Sequence, residues 1–155
     1  MANVYSQVYL QFVFTVKGKL SLINNKHNDE LQKYITGVVQ NRKHKLIAIN
    51  NVPDHMHLFV GFGNTQSHAE FMEEVKAISS KFINEKHWIN GKFEWQRGYG
   101  VFSYSHSQID YVYKYIMNQQ EHHKKQTFKE EYLELLKEFH IEYNEKYLFE
   151  WIEEE

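Results

Sequence analysis

The sequence predicts an α+β fold, a ferredoxin-like (split βαβ) antiparallel sheet with helices on one face, extended by two further helices. Three observations carry this expectation. Apolar periodicity switches in the order strand, helix, strand, strand, helix, strand. A Pro53–Asp54 pair divides two short apolar runs, as a tight turn in an antiparallel hairpin does. No internal repeat or low-complexity tract interrupts the pattern. With helices over one face of the sheet, the other is expected to be free for a site.

Each element has its own signal. Residues 4–16, VYSQVYLQFVFTV, alternate so that Val8, Leu10, Phe12, Phe14 and Val16 share one side of a strand. Leu31, Tyr34, Ile35, Val38 and Val39 follow helical spacing and place a first helix at about 28–43. The hairpin strands run from Lys45 to Val52 and from His55 to Phe62. Ser67 and Glu70 have capping-box spacing and open a second helix with Phe71, Met72, Val75, Ile78, Phe82 and Ile83 on its apolar face. Residues 92–104 are aromatic and β-branched but broken at Gly98 and Gly100, giving one bent strand or two short ones. Ser107 to Asp110 reads as the start of a third helix of about 108–123. A fourth, with Phe128, Tyr132, Leu135, Leu136 and Phe139 inward, ends near 139. The aromatic tail 143–152 is expected to pack back on the body.

At 155 residues the chain fits one domain, 1–155, able to bury roughly two-thirds of its unfolded surface. Within it, 1–106 reads as the sheet-and-helix core, 107–123 as the tyrosine-bearing helix, and 124–155 as a C-terminal helix and acidic tail. No apolar run approaches the ~18 residues of a membrane span, and the start lacks signal-peptide features. Zero cysteines exclude disulfides and thiolate-bound zinc and fit a cytoplasmic protein. The net charge of −2 is unevenly spread. Residues 129–155 hold ten acidic and three basic side chains, a net of −7, which leaves 15 basic against 10 acidic and a net of +5 over residues 1–128. A basic body is compatible with phosphate binding, and equally with plain solvation.

Of the ten histidines, His27, His44, His68, His87 and His140 fall in loops or on solvated faces and need no function. His55 and His57 differ, because residues i and i+2 of a strand project from the same face. Two imidazoles on a rigid strand begin a site for a divalent cation. In the third helix Tyr115 stands four residues before Gln119, so the two share a face. A tyrosine hydroxyl, with an ordinary pKa near ~10, needs a neighbouring cation to attack at neutral pH. An amide oxygen such as that of Gln119 can join two histidines around such an ion. The residues alone also suit an amphipathic helix with its tyrosines in the core.

The segments VPDHMHLFVGF, FEWQRGYGVFSYS and YIMNQQEHHKKQTFKEEYLELL, in that order, resemble the single-tyrosine HUH transposases of bacterial and archaeal insertion sequences and their repeat-associated relatives. Met56 stands at the hydrophobic U position, and the resemblance runs from the first strand to about Tyr147. It implies that His55 and His57 bind Mg2+ or Mn2+, with Gln119 completing the protein ligands. It implies that Tyr115 attacks single-stranded DNA to give a 5′-phosphotyrosine and a free 3′-hydroxyl, reversed by another DNA end. It further implies hairpin-containing element ends as substrate and a homodimer whose tyrosine helix can serve the partner's histidines, with Gly98 and Gly100 suited to a hinge. Arg42, Lys43, Lys45, Lys124 and Lys125 are candidate phosphate contacts, or solubilising charge. Tyr99, Phe102 and Tyr104 suit base stacking or a core, and His122 and His123 have no assigned role. Two other functions fit less well. A replication or relaxase-type nickase usually carries a third histidine and further domains, and a non-catalytic single-stranded nucleic-acid-binding module would carry an aromatic Gly-Phe signature that the first and central strands here lack.

Overall fold

The computed structural model describes residues 4–19 and 22–144. Strands β1 (Tyr9–Thr15), β2 (Lys45–Val52), β3 (His55–Gly61) and β4 (Gly100–Tyr104) form one sheet in the order β2-β3-β1-β4. All three pairings are antiparallel. Helices α1 (Asn28–Asn41) and α2 (His68–Lys86) follow β1 and β3, which is the split βαβ arrangement the periodicity predicts.

Strand alternation decides where each residue goes. Phe12 and Phe14 of β1 and Met56, Leu58 and Val60 of β3 point to one face, where α1 and α2 bury them with Leu31, Ile35, Val39, Phe71 and Val75. Full burial of each such side chain contributes about 1.5–3 kcal/mol. The start of α2 is fixed as expected: Glu70 N donates to Ser67 Oγ at 3.1 Å, and Ser67 N donates to Glu70 Oε1 at 2.9 Å. The first strand is shorter than its periodicity suggests. Residues 4–8 lie outside it, and Val8 is exposed. The 92–104 stretch resolves into two pieces, an isolated bridge of Trp95 to Val16 and then β4. Gly98 turns between them at φ 88°.

The second face of the sheet is covered rather than open. Helices α3 (Ile109–Met117), α4 (Gln119–Lys125) and α5 (Phe128–Glu138) lie on it. Val112 and Ile116 of α3 pack on Ala48 and Phe59. Phe128, Tyr132, Leu135 and Leu136 of α5 pack on Val13 and Phe102. Close approach of α5 requires a glycine in β4, since a Cβ at Gly100 would lie 2.8 Å from the Tyr132 ring. The site therefore lies between two layers.

Two expectations for the late helices change. The start signal is Ser105, whose N–H donates to Gln108 Oε1 at 2.9 Å, two residues before the serine first chosen. The predicted helix 108–123 is broken at Asn118 (φ −100°, ψ 20°). The cause is long-range. Asn50 of β2 donates its side-chain amide to the final carbonyls of α3, Ile116 O at 2.9 Å and Met117 O at 3.2 Å. The last carbonyls of a helix lack the usual i+4 partners; the Asn118 N–H also turns back to Ile116 O, and the strand side chain completes the cap of α3. Of the tail expected to pack on the body, residues 143–152, Tyr143 is exposed, and 145–152 lie outside the described residues.

Candidate functional site

Register places the histidines. His55 faces Thr15 and Val52, and His57 faces Val13 and Asn50, so both rings project from mid-sheet towards α3, α4 and α5. Both are buried, with ring centroids 5.3 Å apart. Each ring is oriented through Nδ1, that of His55 by Asp54 Oδ1 at 2.8 Å and that of His57 by Gln11 Oε1 at 2.7 Å. This leaves both Nε2 atoms directed at the same point, the second-layer pattern that orients imidazole ligands. Gln11 is fixed in turn by donating Nε2 to the Tyr104 hydroxyl at 2.7 Å.

Three more side chains reach that point. Gln119, at the start of α4, brings Oε1 to 3.3 Å from His55 Nε2 and donates Nε2 to Glu131 Oε2 at 2.9 Å. Glu131 of α5 places Oε1 3.4 Å from His55 Nε2 and 3.5 Å from His57 Nε2. Tyr115 of α3 donates its hydroxyl to Glu131 Oε2. Its ring lies 6.0 Å from that of His57 in the same chain. The four residues expected to act together, His55, His57, Tyr115 and Gln119, thus meet, even though a helix break separates Tyr115 from Gln119. Beside Tyr115 is a cavity of about 90 Å³ lined by Tyr104, Tyr111, Glu131, Glu134 and Glu138.

The electrostatics follow from burial and pairing. Burial works against a charged His55, but the hydrogen bond to Asp54 and the negative charges of Asp54 and Glu131 outweigh that and raise its pKa to about 9. Burial dominates at His57 and holds it below the ordinary histidine value. Burial would raise Glu131, but the two imidazoles hold its carboxyl well below the usual range. Tyr115 is pushed far above an ordinary phenol, by burial first and then by the Glu131 charge. In this electrostatic setting its hydroxyl stays protonated.

The donor set fits a divalent cation. His57 Nε2 is buried and makes no hydrogen bond, since 3.5 Å to a carboxylate is too long for one. Donor atoms of His55, His57 and Glu131 all lie within 4.8 Å of one another. Two imidazole nitrogens, a carboxylate and an amide oxygen form a mixed N/O set that suits such ions. A second group, Asp54, His55 and His123, shares His55. The His123 ring lies 5.8 Å from that of His55 and the His122 ring, tilted, 4.7 Å from that of Tyr115, so both border the site.

Sequence reasoning missed Glu131, Gln11 and Asp54. Glu131 carried a signal: it occupies an inward position among Phe128, Tyr132 and Leu135, where a carboxylate needs a reason. His44 also departs from expectation. It is buried, accepting from Gly63 N at 2.8 Å and pairing with Gln66 at 3.0 Å. Among the candidate phosphate contacts, Arg42 is held by Glu74 at 2.5 Å and Lys124 pairs with Glu121 at 3.3 Å, while Lys43, Lys45 and Lys125 are exposed. Phe102 is buried under α5 and Tyr104 is tied to Gln11, while Tyr99 bonds to His68 at 2.8 Å. Away from the histidines, an open groove of about 770 Å³ between α2 and residues 92–97 is lined by Lys76, Lys81, Lys92 and Arg97.

Two solved structures are similar to this fold. One, from Deinococcus radiodurans R1 and described as a transposase, has a TM-score of 0.60 at 19% identity, covering 77% of this chain and 95% of its own. The other is a REP-associated tyrosine transposase bound to a REP hairpin, with a TM-score of 0.59 at 15% identity, covering 79% of this chain and 73% of its own. At these identities the likeness is one of fold. No curated protein matches the sequence, and among the described residues no helix is long and apolar enough to cross a membrane. Residues 4–119 match the model of the family described as Transposase IS200 like, a span that begins ahead of β1 and ends on Gln119, and on that match the chain belongs to the IS200-like transposases.

Proposed function

We propose that this transposase cleaves and rejoins single-stranded DNA through Tyr115, with a divalent ion, Mg2+ or Mn2+, held by His55, His57 and Gln119. The observation that supports this most directly is the convergence of a tyrosine hydroxyl, an amide and two oriented imidazoles on one buried point. In the reaction the Tyr115 oxygen forms a bond to phosphorus while the bond from phosphorus to the 3′-oxygen breaks. The 3′-oxygen leaves as a hydroxyl by taking up the one proton the step releases, that of the Tyr115 phenol, which is hydrogen-bonded to Glu131 at the start. The 5′-phosphotyrosine keeps the energy of the phosphodiester, so attack by another 3′-hydroxyl reseals the strand without ATP. The bound ion would supply positive charge that favours the phenolate and polarises the phosphate. Gln11 and Asp54 hold the imidazoles in the tautomer and orientation that this requires.

The substrate we propose is the hairpin-containing end of a mobile element, in keeping with the hairpin-bound relative, and the protein is read as a homodimer. Exposed Lys43, Lys45 and Lys125 are the candidate phosphate contacts left free by the pairings described. Incubating the protein with single-stranded DNA from the flanks of its own gene and Mn2+ should give a covalent adduct that maps to Tyr115. Tyr115→Phe should abolish the adduct and leave the melting temperature within a few degrees of wild type. An adduct that persisted in this variant would move the nucleophile elsewhere, and loss of the adduct only through unfolding would leave Tyr115 without support.

A further inference from the structure

Glu131 is a costly residue for its position. It is 5% exposed, on the face of α5 that carries Phe128, Tyr132 and Leu135 into the core. Burying a carboxylate costs several kcal/mol unless partners compensate. Among the described residues its ion-pair partners are His55 and His57, and its hydrogen-bond donors are Tyr115 and Gln119. No lysine or arginine is among them. Every compensating contact is therefore an atom of the site.

We infer that Glu131 is itself a protein ligand of the divalent ion, supplied by a helix beyond the family match, and that its second oxygen holds the Tyr115 hydroxyl beside that ion. The inference rests on the metal reading given above. Glu131 Oε1 stands 3.4 and 3.5 Å from the two Nε2 atoms, beyond hydrogen-bond length. Donors held at about 2.0–2.1 Å around a small divalent ion stand about 3–4 Å from one another; the two carboxylate-to-imidazole spacings fall in that range, and all three donors lie within 4.8 Å of one another. His57 Nε2 is buried and lacks a hydrogen-bond partner, as a nitrogen reserved for an ion would be. Charge points the same way. Neutral imidazoles and an amide bring no negative charge, whereas affinity for hard cations rises with the number of charged oxygens. The family match ends at Gln119, twelve residues before Glu131, so this acid is a contribution of the helix that follows.

The test is Mn2+ binding to the full chain, followed by calorimetry and by the electron paramagnetic resonance of free Mn2+. Glu131→Gln keeps the shape and removes the charge, and is expected to weaken Mn2+ binding 10- to 100-fold. Glu73→Gln, on the exposed face of α2, is expected to bind as wild type. Circular dichroism and melting in a chelator check that the variants fold. If Glu131→Gln does not fold, Glu131→Asp takes its place, with at least a five-fold loss expected from withdrawing the carboxylate by one methylene. Unchanged affinity in the folded variant overturns the inference. So does tighter binding, which would make the carboxylate a competitor of the ion. His57→Ala separates the two levels. If it abolishes binding while Glu131→Gln does not, Glu131 is no ligand and the histidine site stands. If wild type binds no Mn2+, both readings fall.

Discussion

Gln11 is the most informative residue to perturb, because it bonds to His57 without being one of the proposed ligands. Replacing it with leucine keeps its bulk and removes two hydrogen bonds, that from His57 Nδ1 and that to the Tyr104 hydroxyl, both 2.7 Å. Tyr104 is only partly buried and regains water, but His57 is fully buried, so its Nδ1–H is left without a partner. An orphaned buried donor costs about 1–3 kcal/mol. In a domain of this size each kcal/mol shifts the melting temperature by about 2–4 °C, so a fall of roughly 2–12 °C is expected in chelator. Releasing the ring also frees its tautomer, and loss of such an outer partner typically weakens metal binding about 10- to 100-fold. Differential scanning fluorimetry with and without Mn2+ reads both effects. A Gln11→Leu protein with wild-type melting and wild-type Mn2+ affinity would refute the claim that Gln11 positions His57.

Other consequences can be measured on the same protein. The pKa of His55 is about 9 in the fold against 6.5 for an ordinary histidine, so its stabilisation is complete below pH 6.5 and is lost as pH rises towards 9. Asp54 and Glu131 stay ionised through this range, and Lys76, which burial lowers to about 8, opposes the trend only above that pH. In chelator, denaturant titrations should therefore show stability falling by about 1–2 kcal/mol between pH 6.5 and 8; a flat or rising profile contradicts the charged His55. Gly100→Ala places a methyl group 2.8 Å from Tyr132 and 3.0 Å from Phe102, which should cost about 1–3 kcal/mol by overpacking. An unchanged melting temperature would mean that α5 is not seated on β4 as described. Co-expressing His57→Ala with Tyr115→Phe tests whether each chain uses its own tyrosine. No adduct is expected from the mixed dimer, and restored cleavage would place the nucleophile opposite the partner's histidines.

The sheet and its hairpin were legible because alternation and a Pro-Asp turn are local signals, and the facing of His55 and His57 follows from the same alternation. Gln11 was hidden by that simplicity. It lies between Leu10 and Phe12 and looks like an outward polar residue until a second layer covers its face. The break at Asn118 was not legible either. Helical periodicity runs through KYIMNQQEH, and the interruption comes from Asn50, 66 residues away from Ile116 in sequence. Glu131 was legible in principle, as an acid inside an apolar stripe, but it disappears when the last 27 residues are summed as one acidic segment. Tyr115 and Gln119 come together by a route that a shared helix face does not describe: both reach Glu131 from separate helices.

The broken helix and the late acid also bear on synthesis. The histidine pair is complete once residue 57 has been translated, but the carboxylate that faces it arrives 74 residues later. At about 5–20 residues per second that is an interval of roughly 4 to 15 seconds. During it the two imidazoles have Asp54 and Gln11 on their Nδ1 atoms, and nothing yet from α5 on the other side. On the reading of Glu131 proposed above, a chain ending between Gln119 and Glu131 would carry every residue of the family match and still lack that carboxylate.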